Sequence, residues 1–432
     1  MGDEMRHLLL ATVATLVAVQ ATGAHATTYY VSPIGKDTNA GTTPNAPFLT
    51  IQHAADRTNP GDVVNITAGT YGTFVIKRSG TQAAPIIYQN YAGQRAVIRR
   101  VTPAGNGIEI GPSNNPVSWV VVRGLVVRGD ADAYPAATYL NATTNDPLIN
   151  GSCIDAYPSG TSLTFENNDV SFCPGAGIQA LGDNIVIHGN RVHNNSYWAP
   201  SDFSGIIVQG QVNGTVVVDG NLVWANQNYQ KNRLEVPCCV TDGRGIIVDS
   251  QPAGYAGRVR VYNNVVWNNG LVGIAVVRSV NVDIYNNTLY QNNESCIEPA
   301  PYTAPCMEGE IAFGEAPGTN VNSRVENNII YGANYATMFY APGMTLPGLT
   351  WDYNIEFNGQ GAYAFGPHDH VSDPSFTTWQ QPPATFHLQE GSIAIGTGEG
   401  TLVPARDADN VLRSTQIGPT RGAYAVPVNN PQ

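Results

Sequence analysis

One short signature, an asparagine followed by a branched or apolar residue, recurs through the middle of the 432-residue chain at a spacing that narrows the choice of fold. Its copies include Glu166-Asn167-Asn168-Asp169-Val170, His188-Gly189-Asn190-Arg191-Val192, Asp219-Gly220-Asn221-Leu222-Val223 and Tyr262-Asn263-Asn264-Val265-Val266. The repeated residue is Asn168, Asn190, Asn221, Asn264, Asn287, Asn328 and, more weakly, Asn354, in steps of 22, 31, 43, 23, 41 and 26 residues. Between the copies lies a second element, seen as Gly177-Ile178, Gly205-Ile206-Ile207-Val208, Gly245-Ile246-Ile247-Val248, Gly273-Ile274-Ala275-Val276 and Glu310-Ile311-Ala312-Phe313. Each unit therefore holds two or three strands too short to bury a face alone, and neighbouring units must stack to make a core. The fold read from this pattern is all-β, a parallel β-solenoid. Asparagine suits its turns because it tolerates left-handed backbone and its amide can bond the equivalent amide one coil above. Leucine-rich repeats lack support, since their Leu-x-x-Leu-x-Leu frame is absent, and a propeller needs longer four-stranded units.

The ends depart from the repeat. Thr50 to Asp56 has helical character and is followed by the turn Asn59-Pro60-Gly61-Asp62, so a short helix is expected to cover the first coil and its exposed strand edges. From about Gly366 the chain is rich in proline and is expected to form an irregular C-terminal cap, giving a repeat body over 27–365 and a capping segment over 366–432. Residues 1–26 read as a secretory signal, with Arg6 and His7 before an apolar run from Leu8 to Val19 and a small-x-small site at Ala24-His25-Ala26. No later segment has the roughly 18 uninterrupted apolar residues of a membrane span, so a secreted protein free of the membrane after signal cleavage is expected. Acidic side chains outnumber basic ones 33 to 21, for a net charge of -12, which argues against nucleic acid as a partner. An oxidising compartment favours disulfides among Cys153, Cys173, Cys238, Cys239, Cys296 and Cys306. Cys296 and Cys306 bracket one Pro-rich segment, and Cys153 can reach Cys173 if the two sit on neighbouring coils; Cys238 and Cys239 are left unassigned.

The opening Tyr29-Tyr30-Val31-Ser32-Pro33-Ile34-Gly35-Lys36-Asp37, with Ala46-Pro47-Phe48, Thr50-Ile51-Gln52-His53-Ala54-Ala55 and Gly69-Thr70-Tyr71, resembles the start of secreted right-handed parallel β-helix proteins of the pectate-lyase superfamily, particularly polysaccharide lyase families 6 and 9. The closing Phe386-His387-Leu388-Gln389-Glu390-Gly391-Ser392 and Gly422-Ala423-Tyr424 resemble the same group. The resemblance implies a right-handed β-helix with a polysaccharide groove along one sheet. Members of the superfamily include lyases, epimerases, hydrolases and adhesins, so the fold does not fix the reaction.

Alternation within the Gly-Ile strands puts Gln179, Ile207 with Gln209, Ile247 with Asp249, and Ala275 with Val277 on the outer face, together with Asp155. The longest insertion, Asn226 to Asp242, carries Lys231, Arg233, Glu235 and the two adjacent cysteines, and leads through Asp242-Gly243-Arg244 into the strand ending at Asp249. Long insertions in a compact array are disproportionately functional. β-Elimination on a uronate needs a base at C5 and a cation or guanidinium that neutralises the neighbouring carboxylate. The resemblance implies a lysine base and a bound Ca²⁺; Lys231 is the one lysine after Lys77 and becomes the expected base. Arg244, Arg278 and Arg233 are the expected carboxylate partners, by their fork geometry. Asp155, Asp242 and Asp249 offer the oxygen ligands that Ca²⁺ prefers. Gln179 and Gln209 are expected to touch the sugar chain, with Trp198 and Tyr229 as stacking platforms, whereas Trp224 and Trp267, at equivalent repeat positions, are expected to face inward. The function expected is a polysaccharide lyase on a uronate-containing glycan; a glycoside hydrolase, a uronate epimerase and a non-catalytic glycan-binding β-helix are the alternatives.

Overall fold

The computed structural model describes residues 25–426 except 102–104, 113–114, 134–146, 157–159, 199–202, 211–212, 230–241, 252–253, 295–308, 315–320, 334–338, 341–345, 360–365, 378–385 and 415–417. Three sheets, all paired in parallel, run the length of the chain: two of eleven strands and one of nine among the described residues. Each coil contributes one strand to each sheet in turn. In the second coil these are Val63–Ile66 in the first sheet, Gly69–Tyr71 in the second and Phe74–Ile76 in the third. The core is the column of inward side chains at coil spacing, such as Ile178, Ile206, Ile246, Ile274 and Ile311, all fully buried. No single strand of three or four residues could sustain this burial, so the stacked array is the folding unit.

The asparagine ladder forms at the corner between the first and second sheets. Each repeated Asn donates its backbone N–H and its side-chain amide to the Oδ1 of the next, from Asn168 through Asn190, Asn221, Asn264, Asn287 and Asn328 to Asn354, at 2.9–3.0 Å. The same amides also donate to first-sheet carbonyls, Asn264 to Val218 at 2.9 Å for instance. The sequence reading merges two jobs that the structure separates. The left-handed backbone belongs to the preceding residue, Asn167, Asn263, Asn286 or Asn327 with φ of 52–60°, or to Gly189 and Gly220. A chain of amides that all donate in one direction must end on an acceptor, and here it ends on the Asp369 carboxylate, which takes the Asn354 N–H at 2.6 Å.

A second ladder, not anticipated, stands five residues after the first: Asn195, Asn226, Asn269 and Asn292, again at 2.8–3.1 Å. It too ends on a carboxylate, Glu310, whose full burial raises its carboxyl to about 8. In the coil before Asn195 the corresponding position is Cys173, bonded to Cys153 across a separation of 20 residues, the neighbouring-coil pairing expected. The other four cysteines lie outside the described residues.

The helix at Ile51–Ala55 covers the first coil as expected, with Thr50 accepting from the His53 N–H at its start. The C-terminal segment does more than close the far end. It runs back along the outer face of the second sheet and builds a separate apolar core, in which Phe386, Phe376, Ala423 and Tyr424 pack on Trp224, Trp267 and Tyr290. Trp224 and Trp267 are register partners stacked at 4.9 Å, so their equivalence holds. Their expected inward direction does not: alternation places Val223 in the inner core and sends both indoles outward, where this segment buries them.

Candidate active site

The third sheet carries four of the residues that the sequence singles out, Asp155, Gln179, Gln209 and Asp249. Its outer row runs Val75, Glu109, Asp155, Gln179, Ile207, Ile247, Ala275, Ala312 in register, each the direct partner of the next. In the later coils this row is apolar and closed: Ile207, Ile247, Ala275 and Ala312 are buried with Ala176, Val272 and Phe203 in a cluster of their own. Polar character concentrates in the earlier coils. There Glu109 and Asp155 are direct partners, which sets their Cα atoms about 4.8 Å apart, with Gln179 next along.

Asp155 is the perturbed group of this row. Its Oδ2 accepts from the Asn106 amide at 2.7 Å, while Oδ1 is buried and meets no hydrogen-bond partner. Burial first, and the Glu109 charge second, raise its carboxyl to about 7 against the opposing Asn106 bond. Asn106 is itself fixed by accepting the Ser152 N–H at 3.0 Å, which orients the amide that holds Asp155 Oδ2. An acid half-protonated near neutrality, beside a second carboxyl one coil away, can give a proton and take one back. Glu109 was missed in the sequence reading, although Gly107-Ile108-Glu109-Ile110 repeats the Gly-Ile frame recognised from Gly177 onward.

The remaining candidates separate into two ion pairs at opposite ends of one strand. At its entry Asp242, fully buried, pairs with Arg244 at 3.5 Å. At its exit Asp249 is held by Arg278 at 3.2 Å and by the Ser250 hydroxyl at 2.8 Å, and Gln209 is its register partner in the preceding coil. Five residues of extended chain put Arg244 and Asp249 about 16 Å apart, too far to hold one sugar unit together. The three aspartates assigned to Ca²⁺ do not converge either. Asp155 lies three strands from Ile247, about 14 Å, and Asp242 and Asp249 flank that strand. Calcium needs six to eight oxygens within about 2.6 Å, so these residues do not fit one ion. No group of three or more His, Cys, Asp or Glu side chains is placed to hold a metal among the described residues. Lys231 and Arg233 lie outside the described residues.

The two aromatic platforms differ. Tyr229 is 45% exposed, meets the Tyr197 ring edge-on at 5.0 Å and lies against the Trp198 ring at 5.9 Å. Trp198 is only 7% exposed, packs with Ala131 and Ile149, and donates its indole N–H to the Ala131 carbonyl at 3.0 Å. Its bulk is thus a packing element, which corrects its assignment as a sugar platform.

Among known proteins, residues 106–253 match the family described as right handed beta helix region. Over 258 residues the chain is 23% identical to pectate lyase PEL9 of Emericella nidulans, an overlap of 56% of this chain and 57% of that one. It is 44% identical over 70 residues to YwoF of Bacillus subtilis (strain 168), an uncharacterized protein, covering 16% of this chain and 15% of that one. The chain thus spans less than two thirds of either curated relative. Among solved structures, pectate lyase Pel9A superposes with a TM-score of 0.50 at 16% identity, over 93% of this chain and 96% of that one. The chain is a right-handed parallel β-helix, the fold it shares with pectate lyase Pel9A. No helix among the described residues is long and apolar enough to cross a membrane.

Proposed function

We propose that the protein is a secreted, carbohydrate-active enzyme that cleaves a polysaccharide at the outer face of the third sheet, with Asp155 and Glu109 as the reacting carboxyls. The observation that carries this reading is the enclosed Asp155 carboxyl, raised to about 7 beside Glu109 on the adjacent strand. Two carboxyls flanking a glycosidic bond are the minimum equipment for hydrolysis. Protonated Asp155 gives its proton to the glycosidic oxygen as the C–O bond breaks and the Glu109 carboxylate bonds the anomeric carbon. Water then displaces Glu109 and returns a proton to Asp155, leaving the sugar with its original configuration. Retention is the expected outcome because Cα atoms about 4.8 Å apart on adjacent strands favour the carboxyl separation of about 5 to 5.5 Å of retaining enzymes over the wider gap of inverting ones. In this reading Gln179, the register partner of Asp155 on the next strand, and the exposed Tyr229 would bind neighbouring sugar units.

A second reading, β-elimination on a uronate glycan, is favoured by the likeness to pectate lyase PEL9. In that case Asp155 serves as the proton-transfer group at C5. One experiment tests both readings: incubation with a panel of neutral and uronate polysaccharides, with and without chelator, following new reducing ends and the ultraviolet absorbance of unsaturated uronates. Reducing ends without absorbance, lost in Asp155→Asn, support hydrolysis. Absorbance that rises in step with the reducing ends moves the assignment to a lyase. Cleavage that survives both Asp155→Asn and Glu109→Gln removes the pair from the chemistry.

A further inference from the structure

A cleft of about 870 Å³ opens on the opposite side of the coil, where the corner between the first and second sheets meets residues 404–410 of the C-terminal segment. Its existence traces to two residues. In three successive coils of this corner the left-handed position is an asparagine that ties down the C-terminal segment. Asn263 donates to the Arg406 carbonyl at 2.8 Å, Asn286 to that of Thr420 at 2.9 Å and Asn327 to that of Glu399 at 3.2 Å. In the two coils before Asn263 the same position is Gly189 and Gly220, at φ of 63° and 62°. Neither has a side chain to reach the segment, and the space stays open; a Cβ on Gly220 would meet nothing closer than 3.7 Å.

The walls of this space have the make-up of a sugar site. Tyr262 stacks on Tyr285 at 4.9 Å and 20°, and its register partner on the other side is Asp219, one residue before Gly220. The ring is therefore backed by a second ring on one side and faces a coil whose corner is bare glycine on the other. Asp219 is paired with His188 Nδ1 at 2.9 Å. His188 and Arg191 are about half exposed, so both are available to hydroxyl groups. An aromatic face flanked by carboxylate, imidazole and guanidinium is the arrangement that recognises a pyranose, whose C–H faces pack on rings while its rim of hydroxyls needs both donors and acceptors. The volume is within the range of ligand sites. Charge sets the class of sugar: three carboxylates, Asp219, Asp407 and Asp409, stand against the guanidiniums of Arg191 and Arg406, a balance that disfavours a polyanion.

We propose that this cleft is a second saccharide site, separate from the third sheet, that holds a neutral pyranose chain. The test is affinity electrophoresis through gels containing galactan, xylan, glucomannan or polygalacturonate. It is run in the Asp155→Asn background so that cleavage does not consume the glycan, which also keeps the outcome independent of the proposed reaction. Retardation by at least one neutral glycan is expected, and Gly220→Asn and Tyr262→Ala should each weaken it by about tenfold or more. Gly220→Asn copies the residue that other coils carry at this position, and circular dichroism establishes that it folds. Should it not fold, Tyr262→Ala with Asp219→Asn decides the matter. Absence of retardation by every neutral glycan, retardation by polygalacturonate alone, or retardation unchanged in the variants overturns the proposal.

Discussion

Replacing Asp155 by Asn should make the protein more stable and less active at once. The native carboxyl keeps its proton up to about pH 7, whereas the unfolded chain's aspartate releases it near 3.8. Throughout that interval the folded state binds more protons than the unfolded one, so stability falls as the pH rises from about 4 to about 7 and is level above. Three units of difference correspond to about 4 kcal/mol. Some of this is recovered as water and neighbouring side chains relax around the charge, which leaves about 2 to 4 kcal/mol. Asn carries no charge, keeps the bond from Asn106, and has the Glu109 carboxylate one coil away as acceptor for its new N–H. Urea unfolding of both proteins at about pH 4 and about pH 8 isolates the effect. The two should agree within about 1 kcal/mol in acid, where both are neutral, and the variant should be ahead by about 2 kcal/mol or more in base. Polysaccharide cleavage should drop by about 100-fold, the usual contribution of a positioned acid. Equal pH slopes in the two proteins would mean that Asp155 is ionised in the native state, and the proton-donor role would go with it.

Three further outcomes follow from packing and bonding. Asn264→Ala strands the Asn221 N–H and the Val218 carbonyl inside the corner, at about 1 to 3 kcal/mol for each orphaned group; denaturant unfolding showing a loss below about 1 kcal/mol would mean that water replaces the ladder. Opening the Cys153–Cys173 bridge by double serine substitution, across its separation of 20 residues, should cost about 3 kcal/mol, seen as a lower melting temperature that reductant reproduces in the native protein. Trp198→Ala should destabilise by about 3 to 5 kcal/mol because the indole is buried, while Tyr229→Ala should weaken glycan binding, which affinity electrophoresis measures.

The fold was legible because the repeat reports on the backbone. Asn264 recurs at coil spacing only if coils stack, and each step along the ladder requires the next Asn in place. The second ladder is equally available in the sequence, five residues after the first, at Asn195, Asn226, Asn269 and Asn292. The site was less legible, for a geometric reason. Sequence proximity of Asp242, Arg244 and Asp249 suggested a cluster, yet an extended strand separates residues by about 3.3 Å per step, so neighbours in sequence stand at opposite ends of the sheet. Proximity in a solenoid runs across coils. Glu109 and Asp155 are 46 residues apart and adjacent in space.

That rule also explains why like residues in register have opposite consequences here. Parallel stacking gives every side chain two neighbours of the same position and no freedom to slip, because a shift by one residue would turn the core face outward. Amides profit, since each Asn is both donor and acceptor and the column satisfies itself until a carboxylate, Asp369 or Glu310, terminates it. Carboxylates cannot profit, since two adjacent acceptors repel unless one holds a proton. A chain that needed only a stable coil would place Gln at position 155, as it does at 179 one strand on. The acid at 155, enclosed and next to Glu109, forgoes that stability, and tolerated local cost of this kind concentrates at functional sites. The cost of ionising Asp155 and the capacity of Asp155 to donate a proton near neutrality are therefore one property, and an in-register pair of acids on the outer face of a parallel β-helix is the sequence signal by which such a site is recognised.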